Sequence, residues 1–227
     1  MSANRLLALT VSAVLGIVGG VVSGSLLDRT HAVHDPLGLG VSLVDQACTG
    51  QSVLVTMASR SQAALASAVA EDPDHTRYLE IAGSCPTVWK QNATAHGYAA
   101  YLGPYTSVSQ ACQARMTVAH RGDVVTKLQN GATAPVQCLC YLDYVSLPLL
   151  RPGMDVTARD GIFVRGLQKL LYTLKLNPHD TETGLYDAAT ISQVRTFQGL
   201  DSLRQSGIVS PPTWHALQGK ACKLYVG

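Results

Sequence analysis

The sequence lacks a dominant charge. Lysine and arginine number 17 against 15 aspartate and glutamate, a formal net charge of +2 over 227 residues, and so small an excess gives no basis for expecting nucleic acid as a partner. It also lacks the groupings that hold metals. The histidines at 31, 34, 75, 96, 120, 179 and 215 are scattered, with no HExxH among them, and no CxxC pair occurs. Cys138-Leu139-Cys140 is the closest approach of two cysteines. No metal and no cofactor is therefore expected.

Cysteine is also missing from the first 47 positions, while Cys48, Cys85, Cys112, Cys138, Cys140 and Cys222 all follow. The missing stretch contains the one long apolar run. Met1 to Arg5 carries one positive charge, and the 22 residues from Leu6 to Leu27 carry none. At about 1.5 Å per residue, a helix of that length spans the roughly 30 Å hydrocarbon layer. Residues 1–27 are read as a membrane anchor with Arg5 inside. The alternative is a cleaved signal, since Ser23-Gly24-Ser25 offers small residues and Gly16, Gly19 and Gly20 interrupt the run. Either reading exports the remainder, where an even number of cysteines reads as disulfides. Their connectivity is left open, except that Cys138 and Cys140, on one side of a strand, each seek a distant partner rather than one another. Residues 28–47, with His31, His34, Pro36 and glycines, are read as a solvated linker.

From residue 48 to 145 strand and helix signals alternate. Val53, Val55 and Met57 fall on one face of a first strand and Leu54 and Thr56 on the other. Ser61 opens an alanine-rich helix that closes at Asp72-Pro73. Arg77 to Ile81, Tyr98 to Leu102 and Val124 to Leu128 read as further strands. Ser107-Val108-Ser109-Gln110 reads as a capping box for a second helix, with Val108, Ala111, Cys112 and Ala119 inward. The order βαββαβ builds an antiparallel sheet with both helices on one side.

The last third carries three apolar stripes. Val164, Leu167, Leu170, Leu171 and Leu174 share one helical face. Thr190 to Gln198 is a second helix, with Ile191, Val194 and Phe197 inward and Arg195 and Gln198 near its edge. Ser210-Pro211-Pro212-Thr213-Trp214 opens a third, with Ser210 as N-cap and proline in the first turn. Three such stripes cover one another in a small bundle.

These residues also carry a resemblance. Val164-Arg165-Gly166-Leu167-Gln168, Gly184-Leu185-Tyr186-Asp187-Ala188-Ala189-Thr190, Val194-Arg195-Thr196-Phe197-Gln198 and Gly207 to Leu217 follow, in order, the motifs VxxLQ, GxYGxxT, AVxxFQ and DGIVGPxTWxxL. Residues 146–222 thus resemble the three-helix peptidoglycan-binding domain. They depart from its pattern at Asp187 and Ser210, where that family favours glycine, and at Ser206, where it favours aspartate. The resemblance implies peptidoglycan as partner, with Tyr186, Arg195 and Gln198 as ligand residues and Trp214 in the core.

A second resemblance covers residues 48–145. Gly97-Tyr98-Ala99-Ala100-Tyr101-Leu102-Gly103-Pro104-Tyr105 is similar to the central GxYRVxVGPF stretch of SPOR (sporulation-related) domains, which share the βαββαβ order and bind glycan across an open sheet face. It implies a glycan platform on the face away from the helices, assigned by alternation to Thr56, Tyr78, Glu80 and Tyr101. The whole is then an α+β protein that faces the cell wall, in contact with the cytoplasmic membrane through its N-terminal helix, and binds peptidoglycan without cleaving it. The alternative is a peptidoglycan hydrolase with a site in the middle domain, where His75, His96 and His120 are the first metal-ligand candidates. Against that alternative, the two binding modules use up nearly all residues after Ala47.

Overall fold

The computed structural model describes residues 34–88, 97–117, 123–130, 136–154, 157–179 and 182–226. The expected apolar helix of residues 1–27 lies outside them, and among the described residues no helix is long and apolar enough to cross a membrane. The described residues fall within one compact unit, Val33–Gly227.

Four strands, β1 (Ser52–Ser59), β2 (Arg77–Glu80), β3 (Tyr98–Tyr105) and β4 (Val124–Lys127), pair in the order β2-β3-β1-β4. Every pairing is antiparallel. Helices α1 (Gln62–Glu71) and α2 (Val108–Thr117) complete the expected βαββαβ order. Local chemistry sets their starts: the Ser61 hydroxyl accepts from the Ala64 amide, and the Ser107 hydroxyl from the Gln110 amide. The expected capping box at Ser107 is half made, because the Gln110 side chain accepts from the Thr106 hydroxyl instead of reaching back.

The two faces of the sheet have different covers. Leu54, Ala100, Leu102 and Tyr78 face the helices, against Leu65, Ala68 and Val69 of α1 and Ala111, Cys112 and Met116 of α2. The opposite face, expected to be open, is closed. Val53, Val55, Leu79, Ala99 and Tyr101 there have no exposed surface, because Ile81, Cys85, Val88 and Leu128 lie over them with Cys48 at the margin. A register shift between Val55 and Met57 breaks the simple alternation, so Met57 joins the helix-side cluster rather than the face of Val53 and Val55.

Residues 34–47 are not a solvated linker, at least from His34 onward. Tyr78 donates its amide to Ser42 and accepts from the Val44 amide, a parallel addition to the outer edge of β2. The backbone groups of an edge strand need partners, and this segment supplies them. Asp35 fixes it in place by accepting from the Tyr78 hydroxyl at 2.7 Å and from the amides of Leu39 and Gly40.

Helices α3 (Ala158–Thr173), α4 (Ala188–Leu200) and α5 (Pro211–Ala221) form the C-terminal part. Val164, Leu167, Leu170 and Leu171 are fully buried, as are Val194, Trp214 and Leu217. Trp214 donates its indole N–H to the Pro148 carbonyl, and Leu150 and Val209 exchange two backbone hydrogen bonds, so the chain entering α3 is tied to the start of α5.

The sheet and the helices share one apolar cluster, which runs from Leu54, Leu102 and Cys112 through Leu139 to Leu167, Phe197 and Trp214. Cys138, Leu139 and Cys140 form a 3-10 turn rather than the expected strand, and each joins a different part. The disulfides are Cys48–Cys85, Cys112–Cys138 and Cys140–Cys222, so both close cysteines do bond to distant partners.

Two outcomes follow from this architecture. Alkylation of the native protein labels no cysteine, and alkylation after reduction and unfolding labels six. Replacing Cys140 and Cys222 together by alanine opens the 82-residue separation they close and lowers the unfolding free energy by about 2–5 kcal/mol in denaturant titration.

A second expectation concerns pH. Burial, together with the neighbouring Asp35 carboxylate, pushes the Tyr78 hydroxyl up to about 12 from 10.0, and burial raises Tyr101 and Tyr105 as well. A raised folded-state value contributes stability that is fully present below the unfolded value and is lost as pH rises through the folded one. Melting temperature therefore falls between pH 10 and about 12, and Tyr78→Phe flattens that fall. An unchanged slope in the variant overturns the assignment to Tyr78.

Candidate functional site

The C-terminal helices contain a repeat visible in the sequence. Val164-Arg165-Gly166-Leu167-Gln168 corresponds to Val194-Arg195-Thr196-Phe197-Gln198, and Thr183-Gly184-Leu185-Tyr186-Asp187-Ala188-Ala189-Thr190 to Ser206-Gly207-Ile208-Val209-Ser210-Pro211-Pro212-Thr213. Each half places a glutamine on a helix and, after it, a loop that the glutamine holds.

The geometry is the same in both. Gln168 donates to the Thr183 hydroxyl, the Leu185 carbonyl and the Thr190 hydroxyl at 2.9, 3.2 and 3.0 Å, and accepts from the Gly184 amide at 3.0 Å. Gln198 lies within donating reach of the Ser206 hydroxyl, the Ile208 carbonyl and the Thr213 hydroxyl at 3.5, 2.8 and 3.3 Å, and accepts from the Gly207 amide at 2.9 Å. Both glutamines are buried. A buried amide requires such partners, since leaving its groups unmade costs more than each bond contributes.

The loop glycines have φ of +73° at Gly184 and +70° at Gly207, a region that side chains seldom adopt. An arginine lies over each. A Cβ on Gly184 would sit 2.6 Å from Arg165 Nη1, and one on Gly207 would sit 3.1 Å from Arg195 Nε. Tyr186 then ties the loops together by donating its hydroxyl to the Gly207 carbonyl at 2.7 Å. Burial raises the pKa of that hydroxyl and keeps it protonated, with the Arg195 charge acting the other way.

The departures from the family pattern have local reasons. Asp187 caps α4 by accepting from the Thr190 amide, and the Ser206 hydroxyl accepts from the Ile208 amide inside the second loop. Ser210 stands at the N-cap of α5 without a side-chain bond, and proline fills the first turn.

Several of the expected ligand residues are placed otherwise. Gln198 is not near an edge but inside the second loop, with its polar groups bonded. Tyr186 is buried with its hydroxyl engaged. Tyr78 and Tyr101 do not share a face: β2–β3 pairing sets Tyr78 opposite Ala100 and Arg77 opposite Tyr101, so the two rings enter different clusters. The Tyr101 hydroxyl donates to the Val44 carbonyl and accepts from Gln46. Thr56 is half-buried and donates to the Ala100 carbonyl. Glu80 and Arg195 are exposed, one on β2 and the other on α4. The sheet platform expected for Thr56, Tyr78, Glu80 and Tyr101 is therefore not assembled, because its two aromatic rings are spent in packing. In contrast, the locked loops leave Leu185 and Arg195 at the surface.

Of the three histidines named as metal candidates, His96 and His120 lie outside the described residues, and His75 is exposed beside Asp72. Among the described residues no group of three or more potential ligands is placed to hold a metal.

Comparison with known families agrees with this geometry: residues 160–217 match the family described as putative peptidoglycan binding domain. The matched residues fall within the segment from α3 to α5. No curated protein and no solved structure matches the chain significantly.

Because each glutamine accepts from a loop glycine amide and lies within donating reach of one carbonyl and two hydroxyls, Gln168→Leu and Gln198→Leu each leave the glycine amide unpaired and take one donor from a carbonyl that keeps its bond from a threonine hydroxyl. Each is expected to cost about 2–4 kcal/mol in chemical denaturation. A loss below about 0.5 kcal/mol for either shows that its loop is held by other contacts.

Proposed function

We propose that this protein is exported, is held at the cytoplasmic membrane by the apolar segment Leu6–Leu27, and binds cell-wall peptidoglycan without cleaving it. The observation that carries the reading is the match of residues 160–217 to the peptidoglycan-binding family. The ordered six-cysteine framework supports export, since such bonds persist in oxidising compartments. Contact with the wall falls on the paired loops, where Arg195 offers a charged donor above Gly207 and Leu185 an exposed apolar side chain beside Tyr186. The sheet serves as support, because the face on which a glycan would lie is filled by the protein's own residues.

Deleting the C-terminal domain is a poor test, since it would strip the shared core. Substitution at the surface is cleaner. The oxidised protein is expected to sediment with intact peptidoglycan, and Arg195→Ala to weaken retention about tenfold, the equivalent of one charge-assisted hydrogen bond. Glu80→Ala should have no effect. Full retention in Arg195→Ala with release in Glu80→Ala moves the contact to the sheet. A parent protein that stays in the supernatant defeats the reading altogether.

A further inference from the structure

The repeat in the C-terminal domain places two arginines in equivalent positions, but their surroundings differ. Arg195 is at the surface. Arg165 lines a cleft of about 410 Å³ where α3 meets α2 and β4. We propose that this cleft is a second ligand site, which takes a short peptide ending in alanine with a free carboxylate. The proposal rests on the reading of the chain as a peptidoglycan binder, because that polymer carries peptides of this kind beside its glycan.

Three features of the cleft carry the assignment. Its lining holds three cations, Arg115, Arg165 and Lys169, against two carboxylates, Asp123 and Glu182. One carboxylate from a ligand brings the lining to neutrality. Its inner wall is apolar, formed by Met116, Val125 and Ile162, of which Val125 and Ile162 are almost wholly buried. That wall suits a methyl side chain and not a sugar ring, which needs partners for its hydroxyls. The volume lies in the range of small-ligand sites and is too small for a disaccharide with its peptide.

The cations are held in place from both sides. Arg115 donates its Nε–H to the Asp123 carbonyl at 3.0 Å, and Lys169 lies 3.5 Å from Glu182. Burial, and then the nearby Arg165, hold the Arg115 guanidinium below its ordinary value, while Asp123 acts in the opposite sense. A ligand carboxylate acts in the same direction as Asp123. The sheet module thus completes the site by lending Arg115 and Asp123 to a domain that has no such pair at its second repeat.

The test is calorimetric titration of the full oxidised chain with an N-acetylated lysyl-D-alanyl-D-alanine and with the same peptide amidated at its C-terminus. The acid is expected to bind, and the amide at least about tenfold more weakly. Arg115→Gln should weaken the acid about tenfold, with its melting temperature recorded because the residue is partly buried. Lys169→Met, at the cleft's margin beside Glu182 and with a side chain 29% exposed, gives the same readout at a second cation of the lining. Equal binding of acid and amide, or no binding of either at millimolar concentration, overturns the site. If sedimentation with intact peptidoglycan persists in that case, the wall-binding reading stands and only the cleft is lost.

Discussion

The structure depends on one short turn. Between Cys138 and Cys140 the chain bonds to α2 through Cys112, buries Leu139 completely, and bonds to the end of α5 through Cys222. Leu139 fits against Gly166 so closely that a Cβ there would meet its Cδ1 at 2.7 Å. Gln218 on α5 donates to the carbonyls of Leu139 and Leu142, so the turn is held through backbone as well as side chain. A buried leucine of this kind contributes on the order of 2–5 kcal/mol, comparable with a disulfide. Neither the sheet nor the three helices has so much apolar surface that it gains nothing from this link.

The sheet differs from the open platform that its strand alternation suggests. Its outer face is filled by Cys85, Val88 and Leu128, and the segment from His34 to Ala47 covers the edge of β2. The sheet module sets α2 against α3, where Arg165 of the first repeat lines their shared cleft, while Arg195 of the second stays exposed. Two locked loops on a braced support are a preorganised surface, and preorganisation lowers the ordering cost of binding.

Much of this was legible in the residues. The spacing of Val164, Leu167, Leu170 and Leu171 set a helical face, and βαββαβ order followed from strand alternation and from caps at Ser61 and Ser107, because those signals act over a few residues. The peptidoglycan-binding motifs were legible for the same reason. The repeated pattern VRx-apolar-Q was present too, but its meaning lay in hydrogen bonds to loops 8 and 15 residues away.

What the sequence alone determined was the local grammar: which segments are helices, which are strands, and that six cysteines would pair. The tertiary structure decided which surfaces are left over. Tyr78 and Tyr101 alternate as strand residues should, yet a pattern of period two says only that a face exists, not what lies upon it. The cover came from Cys85 and Leu128, distant in the chain, and the one-residue shift at Met57 came from pairing with β3. Gln198 looked like an edge residue because glutamine is polar, and it is interior because a loop folded over it supplied every partner it needs. Burial of a polar group is settled by partners that only the folded chain brings near.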